Sequence, residues 1–118
     1  MNILYLAVAG VAGTLARYGL EGGVHGRGGT LAVNLAGSCA LGFIVRYATG
    51  SAVVSPDLRG ALTIGFCGAF TTMSTFIYET MALLWDGDYW RAGWYMGGTV
   101  VGCLAAVAVG TALANKLL

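Results

Sequence analysis

Four stretches of this chain carry no Asp, Glu, Lys, Arg or His: Met1 to Ala16, Gly28 to Val45, Gly60 to Tyr78 and Ala92 to Asn115. Crossing a hydrocarbon core as a helix takes roughly 20 apolar residues, and these stretches suffice once interfacial ends are added. Little chain is left for anything else. Of the 118 residues 58% are hydrophobic and only 9% charged, which is outside the composition of a soluble domain. The 20 glycines point the same way. In water-soluble helices each would cost roughly 1 kcal/mol against Ala, whereas in lipid they let backbones approach closely. The sequence therefore predicts a single all-α integral membrane domain over residues 1–118, with transmembrane helices at about 3–20, 29–49, 57–85 and 91–115.

The first run reads as a span and not as a cleaved signal peptide, because it lacks a basic leading segment and Arg17 is followed by glycines rather than a small-residue cleavage pattern. Cys39, Cys67 and Cys103 all fall in apolar runs, where they behave as small hydrophobes and imply neither a disulfide framework nor a metal site. The only histidine, His25, lies in a loop with five glycines and reads as solvated and quiet. No P-loop and no nucleophile paired with a base is present, so an enzyme is not expected. A nucleic-acid partner is not expected either.

Lys and Arg near span ends bias which loops stay cytoplasmic. With four spans, Arg46, Arg59 and Lys116 lie on one side and Arg17, Arg27 and Arg91 on the other, three against three. A chain without bias inserts both ways, and an antiparallel homodimer follows. A weak bias is the alternative, if Arg17 lies too deep to count.

Polar residues inside the spans are costly, so each needs a reason. Thr30, Asn34 and Ser38 stack at i, i+4 and i+8 in the second span, and Tyr95, Thr99 and Cys103 do so in the fourth. Asn34 fits two readings, an interhelical hydrogen bond or the lining of a hydrated path. Arg17 and Glu21, four apart, read as an interfacial ion pair. Pro56 and Asp57 fit the first turn of the third span. Its middle combines Gly65 and Gly68 with Thr71, Thr72, Ser74 and Thr75, which fits a helix broken at the bilayer midplane or a hydroxyl-rich packing helix. Glu79, well inside that span, is expected to be functional or paired, and Arg17 is an available partner near one membrane end. Gly98 and Gly102 form a GxxxG pair suited to close helix packing. Trp85, Tyr89, Trp90 and Trp94 read as an aromatic belt.

Val33-Asn34-Leu35-Ala36-Gly37-Ser38, followed by Gly65-Phe66-Cys67-Gly68-Ala69-Phe70-Thr71-Thr72-Met73-Ser74-Thr75-Phe76, resembles the Fluc fluoride channels, also called CrcB proteins; Gly13-x-x-x-Arg17-Tyr18 also fits. The likeness extends over essentially the whole chain. It implies an antiparallel, dual-topology homodimer with two pores and a central structural sodium ion. Backbone carbonyls hold that ion where the two third-span breaks meet, and Gly68 and Thr71 match those positions. Two further positions, which present aromatic ring edges to fluoride, correspond to Met73 and Phe76; Met73 departs from the pattern, since a thioether has no ring edge. Asn34 matches an asparagine that points its amide at the ion, and Tyr95, Thr99 and Cys103 match a polar track. Cys103 stands where serine is common, and Ala69 replaces a usual second glycine. Ser74, Thr75, Glu79 and Arg17 join the pore or its vestibule.

The function so implied is passive fluoride export through a bacterial plasma membrane, giving fluoride resistance, with fluoride, lipid and a second copy of the chain as partners. Two rivals have the right size. A small multidrug antiporter needs a carboxylate buried in the first span, where this chain has none before Glu21. A purely structural subunit would not need two polar stripes and a hydroxyl-rich break.

Overall fold

The computed structural model describes residues 2–118, so only Met1 of the first uncharged run lies outside it. Among the described residues four helical segments are long and apolar enough to cross a membrane: Ile3–Gly23, Arg27–Gly50, Pro56–Trp85 and Tyr89–Leu117. They contain six α-helices and one π-helical turn, in the order α1 (Ile3–Gly23), α2 (Arg27–Gly50), α3 (Pro56–Gly60), the π turn (Ala61–Cys67), α4 (Gly68–Phe70), α5 (Met73–Trp85) and α6 (Tyr89–Leu117). The molecule is elongated, 51 × 30 × 23 Å.

The helix starts follow from local chemistry. Asn2 Oδ1 accepts from Leu4 N at 3.0 Å and Tyr5 N at 3.3 Å, capping α1. Ser55 Oγ accepts from Leu58 N at 3.2 Å, ahead of Pro56 in the first turn and Asp57 beside the positive helix end. Asp88 caps α6 by accepting from Arg91 N at 3.2 Å. The glycine-rich first loop is shorter than expected, because α1 runs on through Gly22 and Gly23 and α2 starts at Arg27. Gly26, at φ 70°, makes that turn in a region that L side chains seldom occupy.

The exposed surface is largely apolar, with Ile3, Leu15, Val101 and Leu104 among the side chains facing outward. The buried set includes Thr30, Asn34, Thr80 and Thr99 beside small residues, and Val33 is the largest side chain fully enclosed. That inversion of the soluble pattern is what lipid imposes, since apolar groups gain nothing by leaving acyl chains while polar groups do.

Helices approach where a side chain is missing. A Cβ on Gly42 would overlap the Val107 carbonyl, and one on Gly110 the Cys39 carbonyl, so α2 and α6 sit backbone against backbone. A Cβ on Gly13 would overlap the Phe66 carbonyl, which seats α1 on the π turn. The expected GxxxG contact is only half present. Gly102 meets Leu35 Cδ2 at 3.0 Å from its Cβ position, whereas Gly98 has nothing within 4 Å and lies on an open face of α6. Spacing fixes which glycines share a stripe, but not which stripe meets a neighbour.

Candidate functional site

The third membrane segment is interrupted midway. Thr71 (φ −90°, ψ 159°) and Thr72 (φ −147°, ψ 111°) are extended between α4 and α5. Of the two sequence readings of this segment, the broken helix is the one observed.

An extended pair inside a membrane helix strands backbone groups that water cannot serve. Most of the answer comes from side chains. Thr72 N donates to Asn34 Oδ1 at 2.8 Å, and Asn34 Nδ2 donates to the Thr72 carbonyl at 3.2 Å. The Asn34 amide thus treats extended Thr72 as a neighbouring β-strand would. One amide hydrogen and one lone pair of Asn34 remain for another partner. Thr72 Oγ1 accepts from Thr75 N at 3.3 Å and donates to Thr75 Oγ1 at 3.1 Å, capping α5. Thr71 Oγ1 donates back to the Cys67 carbonyl at 2.9 Å. From the other side Arg17 Nε donates to the Ala69 carbonyl at 3.0 Å.

Beside the break lies a cavity of about 360 Å³. It brings together Asn34, Met73, Phe76, Thr99 and Cys103, and Ser38 as well. Gly68 and Thr71 line it from the third segment. No charged side chain is part of its wall. Thr99 is 6% exposed, and its Oγ1 has no hydrogen-bond partner among the described residues, so a hydroxyl able both to donate and to accept is left unpaired at the cavity. Met73 is 70% exposed and stands at the cavity's rim, while Phe76 is buried.

The remaining expected residues fall outside this cavity. Tyr95 meets Phe76 edge to face, centroids 5.1 Å apart and planes at 67°, and its hydroxyl donates to Glu79 Oε1 at 2.8 Å. Glu79 therefore takes Tyr95, not Arg17, as its partner. Arg17 instead pairs with Glu21, Nη1 to Oε2 at 3.8 Å, as the i, i+4 spacing predicts. Ser74 is exposed and Thr75 is bonded to Thr72; neither lines the cavity. Three hydroxyl residues of the wall, Ser38, Thr63 and Thr72, went unassigned to the site by sequence reasoning. Ser38 was legible as a member of the Asn34 stripe. Thr72 was visible only as one of several hydroxyls, and its choice as the capping residue depends on where α5 begins.

Among the described residues no group of three His, Cys, Asp or Glu side chains could hold a metal. Backbone oxygens can. In a continuous helix Gly68 would accept from the Thr72 N–H, but that group goes to Asn34. Gly68 and Thr71 carbonyls accept from no side chain and from no other element among the described residues, and Gly68 is exposed. Unpaired carbonyls suit a hard cation, so these residues fit the sodium ion that the resemblance implies.

Comparison with known proteins shows the family. The family described as CrcB-like protein, Camphor Resistance (CrcB), matches residues 4–111. The fluoride-specific ion channel FluC of Geotalea uraniireducens is 45% identical over 122 residues, covering 98% of each chain. That of Geobacter sulfurreducens is also 45% identical over 122 residues, with 98% of each chain covered. FluC of Chlorobaculum tepidum is 44% identical over 119 residues, covering 97% of this chain and 94% of its own. Four apolar spans bearing this break, and relatives matching from end to end, make this a multi-pass bacterial membrane protein that belongs to the CrcB-like family.

Proposed function

We propose that this protein is a fluoride-selective channel that lets cytoplasmic fluoride leave passively across the bacterial inner membrane. The observation that carries the reading is the cavity at the break, where the spare capacity of the Asn34 amide and the unpaired Thr99 hydroxyl share one uncharged wall with Phe76. A small, strongly hydrated anion gives up water only to groups that replace its hydrogen bonds. Asn34 and Thr99 are such donors, and the positive edge of an aromatic ring supplements them. Glu79 and Tyr95, bonded to each other next to Phe76, form a polar continuation of the track. The relatives named fluoride-specific channels support the choice of ion. Because an interior-negative potential drives anions outward, conduction alone relieves fluoride toxicity without an energy source.

In this reading the functional unit is an antiparallel homodimer with two pores. The balanced basic residues support it, as does the exposure of Met73, Ser74 and Ile64 around the break, which a second copy would cover. Sodium at the facing breaks, on Gly68 and Thr71 carbonyls, would supply a fixed positive charge in low dielectric and steady the backbone there.

Ion efflux from liposomes holding the purified protein, under a potassium-driven voltage, tests the function. Rapid fluoride efflux without chloride efflux is expected. Folded protein that passes neither ion would overturn the channel reading.

A further inference from the structure

Interrupting the third segment at Thr71 and Thr72 removes the helical amides that would serve the carbonyls of Gly68, Ala69, Phe70 and Thr71. Only Ala69's is taken by a side chain, the Arg17 Nε–H at 3.0 Å. The other three accept from no side chain and from no other element among the described residues. Arg17 is held for this task from both sides along its own helix. One turn earlier Gly13 lets the α1 backbone lie flush on the Phe66 carbonyl, and one turn later Glu21 steadies the guanidinium at 3.8 Å. The distance from the α1 backbone to the break is thus set by a glycine contact, and the Arg17 side chain spans it.

We propose that Arg17 is a positioning residue for the break: by keeping the Ala69 carbonyl for the protein it leaves those of Gly68 and Thr71 to the cation. This rests on the sodium reading above. It also differs from a field effect, because a guanidinium charge near a cation repels it. If Arg17 acted only through charge, its neutralisation would strengthen sodium binding. If it acts by geometry, losing the Nε–H weakens binding even when the charge stays.

Thermal unfolding of the purified protein in detergent separates these cases, with sodium chloride exchanged against choline chloride at constant ionic strength. Wild-type protein is expected to gain thermal stability with sodium and then saturate. Arg17→Lys, which keeps the charge but lacks the guanidinium fork, should need about tenfold more sodium for half of that gain, the size of one charge-assisted hydrogen bond. Arg17→Gln should shift in the same direction. An unchanged half-saturating sodium in Arg17→Lys, with stability lowered equally at every concentration, would reduce Arg17 to a packing role and overturn the proposal. Tighter sodium in Arg17→Gln would overturn it in favour of a field effect. Should Arg17→Lys fail to fold, Glu21→Gln loosens the same guanidinium; a rise in half-saturating sodium supports the proposal and no change refutes it. A wild-type protein indifferent to sodium would sink the cation reading itself, which is a different result from any of these.

Discussion

Asn34 meets both the N–H and the C=O of one extended residue, so its amide is half structural by construction. Asn34→Asp keeps the acceptor to Thr72 N but removes the donor to the Thr72 carbonyl and adds a negative charge beside the path. We expect a loss of stability of about 1–3 kcal/mol from the orphaned carbonyl, together with fluoride efflux reduced at least about tenfold by like charge. Unchanged efflux in that variant would remove Asn34 from the path. Thr99 offers the opposite test, because its Oγ1 has no partner to lose. Thr99→Val keeps the shape, so thermal stability should hold or rise by up to about 1 kcal/mol as a buried unsatisfied hydroxyl disappears. Fluoride efflux should nevertheless fall severalfold, and equal flux in the two proteins would make Thr99 a packing residue. The i+4 stripes made Asn34, Thr99 and Cys103 readable in the sequence, since helical periodicity fixes which groups share a face. Partner choice was not readable. Glu79 faces Tyr95 rather than Arg17 because of how α5 packs on α6, a tertiary fact that span boundaries do not contain.

At the scale of elements, the broken third segment was legible because glycines and hydroxyls are the residues that free a backbone and then re-satisfy it. The π turn ahead of it was not, for Ala61 to Cys67 differs little in composition from an ordinary apolar helix. Close helix packing was expected at Gly98 and Gly102, while the tightest contact of α6 falls at Gly110 against Cys39. Substitution resolves the two. Gly110→Ala drives a Cβ into backbone and should lower stability by about 1–3 kcal/mol, whereas Gly98→Ala enters open space and should leave the stability of the detergent-solubilised protein within about 0.5 kcal/mol of unchanged. A comparable loss at Gly98 would mean that another helix covers it.

For the whole molecule the informative quantity is the balance of basic residues, three on each side of four spans. Two lysines inserted between Ser51 and Ser55 should break that balance and fix one orientation. Such a variant alone should lose fluoride efflux in cells. Co-expression with a variant carrying two lysines in the Asp86–Asp88 turn, and so biased the other way, should restore it. Full activity of either variant alone would exclude an obligatory antiparallel pair. The aromatic cluster of Trp85, Tyr89, Trp90 and Trp94 sits at one end of the protomer only, so in an antiparallel pair each chain would anchor the opposite face.

The order of synthesis adds a consequence to the break. The two side chains that reach it from other helices, Arg17 and Asn34, lie in α1 and α2, and so leave the ribosome before Thr72 does. The two acceptors and the one donor of the third segment therefore arrive in a membrane already holding their partners. A circularly permuted chain that delivers the third segment first would have to carry those groups unpaired through the hydrocarbon, or insert as a straight helix and break only later.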